Sequence, residues 1–160
     1  MHTPEGNDNI ELIETTGRGT RFSDLAEASV RHDITFAKTE EVERVVCTDV
    51  VEANCDDAHI DLTKRMLRLL SDIDGLGLAA PQIGIKKNFF VFWDHLNNPR
   101  VRYNPKYYPD GHSATAWHEK CLTYGNQPYR IKRYKTIRAV WFEYDFETKK
   151  LVKVTKQLKG

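Results

Sequence analysis

Two short stretches of this chain hold residue types able to do chemistry. The first runs Gly75-Leu76-Gly77-Leu78-Ala79-Ala80-Pro81-Gln82-Ile83-Gly84. Glycines at i and i+2 permit close backbone approach or positive φ, and small Ala79 and Ala80 let neighbouring backbones come near. Gln82 is a polar amide among apolar and small residues. Such an amide donates N–H bonds to a polarised oxygen without titrating. The same pattern also fits a tight helix-to-strand turn with a satisfied glutamine. The second stretch is Trp117-His118-Glu119-Lys120-Cys121-Leu122-Thr123. A cysteine flanked by charges is a better candidate for a reactive thiol or a metal ligand than Cys47. His118 and Cys121, three apart, could form a metal pair on a turn, although zinc usually takes three or four protein ligands. The competing reading is an exposed histidine beside a buried cysteine. His118-Glu119 does not open an H-E-x-x-H motif, because position 122 is leucine.

These residues need elements to position them. Leu62, Met66, Leu69, Leu70 and Ile73 fall on one helical face, with Lys64, Arg65 and Arg68 on the other side. Asn54, Asp56 and Asp57 are N-cap candidates, and Gly75 is the expected stop. The first stretch is therefore delivered by a helix. After it the period changes. Asn88 to Trp93 is apolar and aromatic, a buried strand. Asn97-Asn98-Pro99 is a turn signal. Arg100 to Tyr103 is a further strand closed by Asn104-Pro105, and Tyr107 to Ser113 reads as loop. Thr136 to Tyr144 and Leu151 to Leu158 read as two strands of an antiparallel hairpin joined by polar residues 145–150. Residues 1–24 read as a lead-in, and residues 25–54 show no clear period. A helix followed by many strands indicates an α+β fold.

The chain has 160 residues, 40% apolar and 29% charged, the composition of a globular domain with a real core. No apolar run reaches the 18 or so residues of a membrane span, and residues 1–9 have no apolar signal region. Three cysteines, Cys47, Cys55 and Cys121, without a secretory signal point to a reducing, cytoplasmic setting rather than a disulfide framework. The net charge of +1 is unevenly placed: residues 121–160 hold ten Lys or Arg against three Asp or Glu. Such a segment is either a solvated face or a phosphate-binding surface.

Taken together, the two stretches resemble peptide deformylases. GLGLAAPQ at residues 75–82 is similar to the first signature of that family, G-x-G-L-A-A-x-Q. EKCLT at residues 119–123 is similar to the second, E-G-C-L-S. Tyr103-Asn104-Pro105, and Ile131-Lys132-Arg133 followed by Thr136 to Tyr144, resemble the family's intervening and following segments. The likeness covers about residues 45–160. It implies that Cys121 is the thiolate ligand of a divalent metal, Fe²⁺ in most members and Zn²⁺ or Ni²⁺ in others. It implies that Gln82 and the backbone N–H of Leu122 hold the formyl oxygen as it becomes an oxyanion. Leu76 and Gly77 are expected to receive the methionyl peptide, with Trp117 closing that pocket. Glu119 and Arg133 are expected to pair and stiffen the cysteine loop. The implied reaction removes the formyl group from N-formyl-methionyl nascent peptides.

The departures are also informative. The family's third signature, H-E-x-x-H on a helix, is absent, and Leu158-Lys159-Gly160 resembles the residues that precede it. The expectation is therefore a deformylase-like α+β domain over 41–160, with antiparallel sheets around helices and the C-terminal metal-binding helix missing. Residues 1–40 form an extension of unknown role. Such a chain alone is expected to be poorly stable and inactive unless the histidine ligands are supplied. The alternatives are a non-catalytic member that binds peptide or ribosome through the basic Arg130 to Arg138 segment, or half of a site completed by another chain. Lys120 in place of the usual glycine is the departure that bears most on the cysteine loop, and Thr123 in place of serine bears less.

Overall fold

The computed structural model describes residues 22–121, 123 and 128–159, with backbone alone at 22–24 and 117. The elements are α1 (Phe22–His32), α2 (Thr39–Arg44), a 3-10 turn (Glu52–Asn54), α3 (Asp57–Ile73), β1 (Gly77–Ala79), a second 3-10 turn (Ala80–Ile83), β2 (Phe89–Trp93), β3 (Pro99–Pro109), β4 (Ala114–Lys120), β5 (Pro128–Tyr134), β6 (Thr136–Asp145) and β7 (Lys150–Lys159). The strands form a five-stranded sheet in the order β1-β2-β3-β6-β7 and a separate β4-β5 pair, antiparallel throughout. The architecture is α+β.

Helix α3 follows its apolar period. Met66, Leu69, Leu70 and Ile73 are buried, with Leu67 and Thr63 beside them and Leu62 at the edge. Of the three N-cap candidates, Asp56 serves: its carboxylate accepts the His59 N–H at 2.9 Å. The left-handed residue that ends the helix is Asp74, at φ 53°, and not Gly75. Both the Asp74 and Gly75 N–H groups donate to Leu70 O. Glycine at 75 answers a different need, since a Cβ there would meet Leu70 Cδ2 at 2.8 Å.

The buried face of α3 packs on Leu78, Phe89, Val91 and Tyr103 of β1, β2 and β3. Trp93 Nε1 donates to Leu67 O at 3.0 Å and fastens the sheet to the helix. Residues 25–36, which show no clear period, contribute Leu25, Ala28 and Ile34 to this same core. Asp72 of α3 receives Arg31 at 3.1 Å and His32 at 2.6 Å from α1. The described part of the 1–40 stretch therefore packs against α3.

The sheet corrects two readings. Strand β3 does not close at Asn104-Pro105 but continues to Pro109, so residues 107–109 are strand rather than loop. Asn104 absorbs the irregularity. It takes φ 50°, and the pairing with β6 shifts register between Tyr103 and Lys106. Its amide accepts the Val50 N–H at 2.7 Å and donates to Val50 O at 2.9 Å. The second correction concerns His118, read with Cys121 as a pair on a turn, which lies within strand β4. The expected β6–β7 hairpin is present in continuous register from Thr136↔Lys159 to Asp145↔Lys150.

Beneath the sheet, His59 bonds to the Tyr103 hydroxyl at 2.8 Å and meets Phe89 edge-on. Burial pushes the His59 imidazole below its ordinary 6.5, against a smaller opposing pull from Asp56. A depressed folded-state pKa means the unfolded chain binds more protons, so His59 contributes full stability above about pH 6.5 and loses it as pH falls. The melting temperature should therefore drop between pH 7.5 and pH 5.5, and His59→Gln should drop less over that interval. Asn104→Ala leaves the Val50 N–H and C=O unpaired and puts alanine at positive φ. Urea titration should show a loss of about 2–3 kcal/mol.

Candidate active site

Strand β1 ends at Ala79, and the 3-10 turn that follows begins with Ala80-Pro81 and stops at Gly84, φ 80°. Proline suits the start of such a turn and glycine the left-handed exit. This tight turn leaves Gln82 8% exposed. Its Oε1 accepts the Ala79 N–H at 2.8 Å, and its main-chain oxygen accepts the Ala37 N–H at 2.8 Å. Its Nε2 donates to Thr123 Oγ1 at 3.1 Å and lies 3.7 Å from Cys121 Sγ. The glutamine is thus satisfied, and the groups that satisfy it on the donor side belong to the second stretch. Tertiary folding brings the two chemical stretches together at one amide.

Cys121 is half-buried and follows β4 directly. In the β4–β5 ladder Thr115 faces Arg133 and Glu119 faces Tyr129, so these four, with Ile131, share one face. On that face Arg133 Nε and Nη2 donate to the two Glu119 carboxylate oxygens, each at 2.8 Å. This bidentate pair locks the hairpin that leads into Cys121. With side chains 37% and 31% exposed, it is worth more as geometry than as energy.

The opposite face carries His118, Lys120, Arg130 and Lys132, all but His118 cationic and all exposed. His118 therefore points away from the face that holds Glu119 and makes no metal pair with Cys121. Lys120 sits in extended strand without positive φ, so the backbone here does not demand glycine, and its side chain lies on the outer face. Among the described residues no group of three or more His, Cys, Asp or Glu side chains converges to hold a metal ion. One thiolate does not make a ligand set, so the described residues by themselves do not fit a catalytic metal.

Leu76 stands 90% exposed just before β1. A Cβ at Gly77 would meet only Val91 O at 3.5 Å and Phe92 Cβ at 3.8 Å, so packing tolerates a side chain there. β1 pairs only with β2, which leaves its other edge open among the described strands. The Trp117 side chain and the Leu122 N–H lie outside the described residues. The sequence pointed to Gln82 and Cys121 but gave no sign of Ala37 and Thr39. Thr39 Oγ1 donates to Thr123 O at 3.1 Å from a stretch with no periodic or motif signal.

A family model, Polypeptide deformylase, matches residues 33–156. The peptide deformylase of Borreliella burgdorferi is 29% identical over 107 residues, 66% of this chain and 59% of that protein. The peptide deformylase of Thermotoga neapolitana is 32% identical over 99 residues, 58% of this chain and 60% of that protein. The chain thus spans about 60% of the length of these curated relatives. The crystal structure of peptide deformylase from Thermotoga maritima superposes with a TM-score of 0.66 at 26% identity, covering 79% of this chain and 82% of that one. With both signature stretches meeting at Gln82 and the family match extending over most of the sequence, this chain belongs to the polypeptide deformylase family.

Proposed function

We propose that this chain contributes the oxygen-polarising amide and one thiolate to a site that removes the formyl group from N-formyl-methionyl peptides. The observation that carries the reading is the Gln82 amide held within 3.7 Å of Cys121 Sγ. One Gln82 N–H is committed to Thr123 Oγ1 at 3.1 Å. The other makes only the long contact to sulfur, the easier of the two to give up to a formyl oxygen. Because Ala79 N–H and the tight turn fix the amide, its dipole needs no reorganisation as charge develops on that oxygen. The open edge of β1, next to Gly77, suits an extended peptide. Glu119 and Arg133 hold the cysteine hairpin still.

Deformylases are metal-dependent hydrolases, and Cys121 is the donor this chain offers. The two histidines of the family's third signature are not among the described residues. No H-E-x-x-H run occurs in the 160 residues, so under this reading they are supplied by residues other than these. The test is formate release from a formyl-methionyl peptide by the native protein supplied with Fe²⁺. Cys121→Ala should abolish release. Gln82→Leu should lower kcat by roughly 10²–10³, the effect of losing one oxyanion donor. Unchanged kcat in Gln82→Leu removes the amide from the role given to it.

A second reading, a member that binds the ribosome through its basic segment, rests on a separate observation. The segment does not act as one surface: Arg133 turns in to Glu119, while Arg130 and Lys132 face out. Arg138 instead joins Lys106 and Lys153 around a concavity of about 480 Å³ that also includes Tyr108 and Asp49. None of these three cations pairs with a carboxylate among the described residues. Under this reading a single-stranded RNA should bind with strong salt dependence. Arg138→Glu with Lys153→Glu should weaken it at least tenfold by fluorescence anisotropy, and equal binding by that variant would discard the surface.

A further inference from the structure

The contacts around Thr123 form a closed circuit. Lys38 joins Ala37 to Thr39 in the segment leading into α2. Ala37 N–H donates to Gln82 O at 2.8 Å, Gln82 Nε2 donates to Thr123 Oγ1 at 3.1 Å, and Thr39 Oγ1 donates to Thr123 O at 3.1 Å. Three segments far apart in sequence are thereby linked without any intervening secondary-structure ladder. Two of the links fall on Thr123, two residues beyond the cysteine, and two on Gln82.

Thr39 occupies the first position of α2, one residue past the N-cap Lys38, so its hydroxyl is available to a distant carbonyl. Both Thr39 and Thr123 are half-buried. A carbonyl in that setting, left without its donor, seeks water and draws its residue outward. The segment is also fixed from behind. Ile34 is buried in the core and Phe36 packs against it. Thr39, Phe36 and Ala37, with Leu25 and Ser29 of α1, wall a cleft of about 360 Å³ that reaches Gln82 and Thr123.

We propose that Thr39 is a positioning residue: its hydroxyl ties Thr123, two residues beyond Cys121, to the segment that also holds Gln82, and so sets the distance between the amide and the thiol. This rests on Gln82 and Cys121 being the functional pair. The primary readout is therefore thiol reactivity, which needs neither metal nor substrate.

Alkylation by iodoacetamide is followed at each cysteine by peptide mass mapping of the whole chain. Cys47 and Cys55, outside the circuit, report general loosening. Thr39→Val replaces the hydroxyl with a methyl of similar size, and Thr39→Ser keeps the hydroxyl. In Thr39→Val, Cys121 should react roughly threefold to tenfold faster, the factor that one net hydrogen bond represents. Cys47 and Cys55 should be unchanged, and Thr39→Ser should return Cys121 to the parent rate. A Cys121 rate within twofold of the parent in Thr39→Val overturns the proposal. So does a parallel rise at all three cysteines, or a Thr39→Ser variant that behaves like Thr39→Val. In the native protein Thr39→Val should lower kcat with KM held. If formate release is absent altogether while Cys121 still responds to Thr39, the functional reading fails and the positioning role stands.

Discussion

A buried primary amide has one carbonyl and two N–H positions, and each left unpaired costs on the order of 1–3 kcal/mol. Gln82 meets that demand by drawing on separate parts of the chain. Ala79 N–H supplies its carbonyl partner from the end of β1. Thr123 and Cys121 receive its N–H groups from beyond β4. Its main-chain oxygen takes the Ala37 N–H from ahead of α2. Pro81 and Gly84 are needed around it because only a tight turn with a left-handed exit turns this side chain inward directly after a strand. The arrangement of the site follows from satisfying this one side chain.

The remaining structure holds the ends of that circuit steady. Helix α3 fixes β1 through Leu70, Leu78 and Val91, and Trp93 fastens β2 to the same helix. Asn104 holds the main chain of Val50 while letting β3 turn through its bulge and continue to pair with β6. The cysteine is supported differently. It lies between the two strands of the β4–β5 pair, which joins no larger sheet among the described residues. A hairpin of that kind is marginal by itself. The Glu119–Arg133 bidentate pair stiffens it from within, and Thr123 connects it to Gln82 and Thr39.

Charge follows the same division. Alternation along β4 and β5 separates side chains adjacent in sequence, so Glu119 and Arg133 neutralise each other on the inner face while Lys120, Arg130 and Lys132 remain in solvent. A lysine in place of glycine beside Cys121 is accommodated because its ammonium lies on the other side of the strand. The basic segment is likewise divided between two sheets: in the larger one Arg138 and Lys153 meet Lys106 of β3, with Arg138 over the Tyr108 ring.

What the sequence determined by itself was whatever repeats within one element or one motif. The period of Met66, Leu69, Leu70 and Ile73 specifies α3, since burial on a helix recurs every three or four residues. The β-branched and aromatic run from Thr136 specifies β6 and its hairpin partner. The two signature stretches singled out Gln82, Cys121 and Glu119, and the family resemblance of Ile131-Lys132-Arg133 supplied the expected partner Arg133. What only the tertiary structure decided were relations between distant residues. The course of β3 through Asn104 depends on Val50, 54 residues away. The outward direction of His118 depends on its pairing with β5. Thr39 meets Thr123 across 84 residues. No local pattern encodes such a contact, because a hydroxyl and a carbonyl become partners only when packing elsewhere brings their segments together.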